Sequence, residues 1–162
     1  EFALPFGDYE VEITVPSDHV VGATGVLVNA DEVLSKEEMK RYQKAHESFR
    51  EPVIIVTEEE ALASERMKSD QKTTWKFQAK NVRDFAFASS RKFIWDGMAV
   101  EFGGRTVLAA SLYSKEGNPL WEKYSTRVVA HTNVKRLRRK RWLRACGPLS
   151  NTKSTAKSSM AG

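Results

Sequence analysis

The chain is poor in the residues that build small catalytic or metal sites. It has one cysteine, Cys146, in 162 residues. A lone cysteine excludes an internal disulfide framework and any cysteine-rich zinc module, and it leaves the redox compartment open. Histidine occurs three times, at His19, His46 and His131, with no ligand or triad spacing. No run of about 18 apolar residues exists, so no segment reads as a membrane-spanning helix. The start, Glu1-Phe2-Ala3-Leu4-Pro5, has no basic n-region, no apolar h-region and no Met. It reads as neither a signal peptide nor a translation start, and suggests a processed chain or a piece of a longer one.

Acids are missing from the last 30 positions. Residues 133–162 hold 9 Lys+Arg and no Asp or Glu, whereas residues 1–132 hold 17 Lys+Arg against 21 Asp+Glu. The formal charge of +5 therefore divides into a body of −4 and a tail of +9. Any charge-based argument for nucleic acid or anionic lipid applies to the tail alone.

What is present is a globular composition, 41% hydrophobic and 29% charged, with enough length for one core. In FGDYEVEITVP (6–16), Tyr9, Val11, Ile13 and Val15 alternate with Glu10, Glu12 and Thr14, which predicts a half-buried strand ended by Pro16. VVGATGVLVN (20–29) reads as its hairpin partner, with a bulge or close backbone approach at Gly22 and Gly25. Ser35-Lys36-Glu37-Glu38 has the form of a capping box, and Met39, Tyr42, His46 and Phe49 follow at helical spacing. This predicts a helix over 36–50, stopped by Pro52. VIIVT (53–57) is a short strand, Thr57 and Glu60 cap a helix to about Arg66, and 67–72 is a polar loop.

Strands return at TTWKFQAK (73–80), at 85–89 and at 93–95. MAVEF (98–102), the Gly103-Gly104 turn and TVLAASLYS (106–114) form a hairpin. Asn118 suits an N-cap and Pro119 a first helical position. Leu120, Trp121, Tyr124 and Val128 then make the apolar face of a helix to about Thr132. NVKRLRRKRWLRACG (133–147) is basic, and 148–162 is Ser/Thr/Lys-rich and reads as disordered.

NVRDFAFASSRKFIWD (81–96), with FGDYEVEITVP, VVGATG (20–25) and TTWKFQAK, resembles the N-terminal β-domain of zinc aminopeptidases related to aminopeptidase N, the gluzincin metallopeptidases. The likeness covers residues 6–132. It implies a mainly β fold: an antiparallel sheet or sandwich, part of a saddle-like domain, with an inserted amphipathic helix and a C-terminal linking helix. It divides the chain into a partial β-domain at 1–118 with a helical excursion at 31–72, a helix at 119–132 leading toward a catalytic domain, and a basic tail at 133–162. The strands that precede Tyr9–Val15 in such domains are missing, which implies a chain truncated at both ends. Beyond Thr132 relatives continue with an aromatic and Pro-rich segment. Here LRRKRWLR (137–144) stands instead, as a frameshift, a junction or a native extension would leave it.

The resemblance implies zinc as the parent enzyme's cofactor, held by HExxH and a distant Glu, with a G-x-M-E-N-like segment gripping the free amine of a peptide substrate. Two His at i and i+4 share a helix face, a third ligand leaves room for water, and the HExxH Glu serves as base. This chain carries none of those parts. His46-Glu47-Ser48-Phe49-Arg50 ends on Arg50 and supplies one ligand at most. No catalytic, cofactor-binding or metal-binding residue is therefore assigned. The expected partner is the catalytic domain of the same polypeptide. Relatives are often exported or membrane-attached.

Other features have plain readings beside functional ones. Trp75, Phe77, Phe85, Phe87, Phe93, Trp95 and Phe102 read as sheet core rather than a base-stacking surface. Glu58-Glu59-Glu60 complements a helix dipole rather than binding a metal. Asp84 and Asp96 read as hydrogen-bonding residues of the sheet, with a cleft-lining role as the alternative. Gly22-Ala23-Thr24-Gly25 lacks the spacing of a phosphate cradle. The runner-up function is a non-enzymatic β-sandwich binding module. Its basic tail (Lys135, Arg136, Arg138, Arg139, Lys140, Arg141 and Arg144, with Trp142 and Leu143) would take nucleic acid or an anionic membrane.

Overall fold

An alternating strand needs an apolar partner on one face and water on the other. In the computed structural model, which describes residues 5–131 apart from Gly103 and Lys123, that strand is β1, Gly7–Pro16. It pairs antiparallel with β5, Lys72–Val82, in a register running from Glu10↔Gln78 to Pro16↔Lys72. Trp75, Phe77 and Ala79 point inward from β5, while Lys76, Gln78 and Lys80 are exposed.

The hairpin expected between 6–16 and 20–29 does not form. The second segment splits into β2, Val20–Ala23, and β3, Val26–Leu27. β2 pairs with β6, Phe87–Ser90, and β3 pairs with β5 on the edge opposite β1. β1 is already occupied along β5, and Gly25 lets the chain cross close over that strand. Its φ is 101°, and a Cβ there would stand 2.3 Å from the Gln78 carbonyl oxygen. Only glycine tolerates both conditions. The close approach expected in 22–25 is therefore present.

Between these strands lie α1 (Ala30–Val33), α2 (Lys36–Glu47), β4 (Val53–Val56) and α3 (Glu58–Arg66). Both predicted caps are observed: Ser35 with Glu38 opens α2, and Thr57 with Glu60 opens α3, each as a reciprocal capping box. α2 ends at Glu47, short of the expected residue 50. There the Ser48 carbonyl accepts from Ala99 N (2.8 Å) and its hydroxyl donates to the Glu51 carbonyl (2.6 Å).

β4 is an edge of a second three-stranded sheet, in the order β4-β7-β8, with β7 at Ile94–Phe102 and β8 at Arg105–Tyr113. The expected hairpin joins β7 and β8 in a register from Ile94↔Tyr113 to Phe102↔Arg105. Segments 93–95 and 98–102, expected as separate strands, merge into β7. Asp96 is satisfied inside by two hydroxyls, and Gly97 lies against Leu108 and Ile55. Every strand pairing is antiparallel, so the fold is mainly β with a few helices.

β7 is buried on both faces from Ile94 to Val100. Trp95 on one face joins Ile13, Trp75 and Phe77 of the first sheet and Ile55 and Val56 of β4 in the main core. On the other face Ile94 packs with Ala61 and Tyr113, and Met98 and Val100 pack with Ala109 and Ala130. After β8 a 3-10 turn, Lys115–Gly117, leads to helical residues at 120–122 and 124–131, here α4. Asn118 does not cap that helix as expected. The helix starts at 120, and the Asn118 side-chain amide instead donates to Glu58 Oε2 on α3 (2.9 Å). No helix among the described residues is long and apolar enough to cross a membrane.

Candidate functional site

At 100° per residue, Leu120, Tyr124, Val128 and Trp121 fall within ~100° of arc on α4. This is the apolar face read from the sequence, yet the structure turns it outward. The four residues are between 49% and 61% exposed. The face toward the body carries Thr126 and Ala130, both buried, roughly 150° around the helix from the apolar arc. α4 thus lays its small residues on the sheet and presents its large apolar ones to the outside.

Among the described residues, Thr126 and Ala130 bring the helix onto β7. Thr126 Oγ1 donates to Asp96 Oδ1, and Tyr113 Oη donates to Asp96 Oδ2 (3.1 Å). Asp96 is 1% exposed. Burial pushes its carboxyl above the ordinary range, the Thr126 and Tyr113 hydrogen bonds pull it back in part, and the Glu122 charge pushes it up again. Burial and the same carboxylate raise the Tyr113 hydroxyl. Ala130 fits between Met98, Val100 and Ala109. At the surface Arg127 pairs with Glu51.

The other residues singled out in the sequence are scattered. His46 Nδ1 lies 3.0 Å from the Tyr42 carbonyl, and its ring stands edge-on to Tyr42. His19 Nδ1 lies 2.9 Å from Ser89 Oγ. His131 is exposed on α4. Glu60 caps α3 and binds Arg41 through both oxygens (2.6 and 2.7 Å), Glu58 holds Asn118, and Glu59 is exposed. Asp84 is exposed, whereas Asp96 is the buried acid just described. Among the described residues no group of three or more His, Cys, Asp or Glu could hold a metal ion. Zinc, implied by the resemblance, thus finds no ligand set in them.

The aromatic core reading needs one correction. Trp75, Phe77 and Trp95 are buried, and Phe85 and Phe93 are half-buried. Phe87 is 60% exposed. It sits on β6, in a two-stranded sheet too short to cover both faces. The Phe102 side chain, Thr132, Cys146 and the whole basic segment 133–162 lie outside the described residues. Nothing in the sequence marks Thr126, a polar residue on a helix whose apolar stripe points elsewhere. Asp96 carried a weak signal, as an acid inside an otherwise apolar run.

Compared with known proteins, the chain matches no family model, no curated protein and no solved structure.

Proposed function

We propose that the chain is a non-catalytic β-domain of a zinc aminopeptidase-like protein. It packs on the catalytic domain and shapes one side of the peptide cleft. The observation that carries this reading is the outward apolar arc of α4: Leu120, Trp121, Tyr124 and Val128 on a helix fixed to the sheet from its other side. A second support is the run NVRDFAFASSRKFIWD, with its likeness to the gluzincin aminopeptidases. The saddle-like form of the whole domain belongs to this proposal. Zinc-dependent hydrolysis of N-terminal peptide bonds would rest on residues of the catalytic domain, with a peptide as substrate.

The test is reconstitution. The chain alone is expected to cleave no aminoacyl substrate and, after mild chelation, to hold less than one zinc per molecule. Added to a gluzincin catalytic domain produced without its β-domain, it is expected to change kcat/KM for peptides. No effect at saturating chain, or hydrolysis by the chain itself, would overturn the proposal. The alternative, a binding module with a basic arm, rests on the charge of 133–162. It predicts nucleic-acid or anionic-vesicle binding that falls steeply with salt.

A further inference from the structure

A strand at the edge of a sheet leaves half of its backbone groups without a strand partner, and folded chains guard such edges with charge, proline, bulges or short length. Most edges of this fold carry one of these guards. β2, β4 and β6 have four residues each and β3 has two. β1 has ten, but its register shifts between Gly7 and Tyr9 and it ends on Pro16. It is also charged where it is open. Lys76 turns its N–H and carbonyl toward β3, to Asn29 and Val28, so Glu12 opposite it turns its backbone away from β5. By alternation Glu10 and Thr14 do the same.

β8 carries none of these guards. Its nine residues, Arg105–Tyr113, pair with β7 alone and without a register shift. After Arg105 the run TVLAASLY (106–113) has no charge, no proline and no glycine. Ala99 of β7 donates its N–H to the Ser48 carbonyl, away from β8, so Leu108 opposite it turns its own N–H and carbonyl outward. By alternation Thr106, Ala110 and Leu112 turn outward too. Among the described residues no second strand pairs with this edge. Leu108, Ala110 and Leu112 rest against the main core and stay half-buried.

We infer that the open edge of β8 is a self-association surface, to which β8 of a second copy adds antiparallel about a two-fold axis. Outward-facing residues must meet outward-facing residues. In the register that sets Ala109 opposite its own mate, Leu108 lies opposite Ala110 of the partner subunit, large against small. Arg105 lies opposite Tyr113 of the partner subunit, so like charges do not meet along the pair. The same operation on β1 sets Glu10 and Glu12 against each other or against their own mates, and like charges placed opposite are destabilising. A second copy therefore fits β8 and is repelled by β1. The two β4-β7-β8 sheets join through their β8 strands, and the guards on the remaining edges close the assembly as a dimer. This pairing does not depend on a docking role for α4.

Sedimentation velocity of the full chain, over a concentration series up to its solubility limit, tests the pairing. The parent should pass from monomer to dimer and no further. Ala110→Pro removes an outward N–H that β7 does not use, so it leaves the β7–β8 ladder intact. Thr106→Lys combined with Val107→Lys puts cations at two exposed positions of the edge, the guard that β8 lacks. Both β8 variants should stay monomeric throughout the series and melt close to the parent monomer. If Ala110→Pro fails to fold, the lysine variant alone decides. Leu120→Ser combined with Trp121→Ser, on the α4 arc, should dimerise like the parent. A parent that stays monomeric, growth beyond the dimer, a dimer that survives a folded β8 variant, or one lost in the α4 variant would overturn the inference.

Discussion

The side chain of Asn29 completes the pairing that β3 begins on β5. Its Oδ1 accepts from Lys76 N (2.9 Å) and its Nδ2 donates to the Thr74 carbonyl (3.0 Å), just beyond Val28 N on the Lys76 carbonyl. The amide acts as one more strand residue while the backbone turns into α1. Asn29 is buried, so a lost partner is not replaced by water. Asn29→Ala should lower stability by about 1–3 kcal/mol, the cost of polar groups left unpaired. Asn29→Asp keeps the acceptor but turns a second oxygen on the Thr74 carbonyl and the Glu32 carboxylate, so it should lose at least as much. Chemical denaturation of the three proteins checks the order.

Gly25 and Gly104 both have positive φ, 101° and 79°, in different surroundings. A Cβ at Gly25 would meet the Gln78 carbonyl oxygen at 2.3 Å, while at Gly104 nothing lies within 4 Å. Gly104→Ala should cost about 1 kcal/mol through backbone strain alone. Gly25→Ala should cost clearly more and should loosen β3 from β5. Melting curves, with amide exchange at Val26–Leu27, measure both.

Trp75 and Phe87 separate core from surface among residues that look alike in sequence. Trp75→Ala should lower stability by roughly 3–5 kcal/mol, as expected for a buried large aromatic. Phe87→Ala, at an exposed position, should stay within about 0.5 kcal/mol. Equal losses in the two variants would contradict the packing described.

These contrasts show what the sequence could reveal. Alternation along 7–16 and 72–82 was legible because each strand has one wet face, so period two is written in polar and apolar letters. The caps at Ser35 and Thr57 were legible because they depend on residues three apart. The pairing of β1 with β5 was not, since 55 residues separate the strands and the nearer segment 20–29 offered an equally apolar partner. β7 was read as two strands because a strand buried on both faces loses its period, and Asp96-Gly97 looked like a break. Residues that bury α4 are small or polar, Thr126 and Ala130, so hydrophobicity pointed to the opposite face.

Arg41 and Glu60 link α2 to the cap of α3. Burial alone would raise the Glu60 carboxyl. Hydrogen bonds from Arg41 and Thr57, with the Arg41 charge, outweigh it and hold the group below the ordinary range. A carboxyl lowered by folding contributes stability above its unfolded pKa, and that contribution is lost as pH falls through the lowered value. Arg41→Met should therefore narrow the stability gap between neutral and acid solution. The effect at neutral pH should be about 0.5–1 kcal/mol, given the partial exposure of both groups. Urea titrations at neutral and at acid pH provide the comparison.

The central claim is that α4 docks this domain on a catalytic domain through its outward apolar arc. Calorimetric titration of the full chain into a gluzincin catalytic domain lacking its β-domain measures this directly. The account predicts saturable binding with a negative heat-capacity change, the mark of apolar burial. It predicts that the double variant Leu120→Ser, Trp121→Ser abolishes the binding while melting within a few degrees of the parent, because both side chains are exposed. Binding that survives the double variant, or no binding by the parent chain, would contradict it.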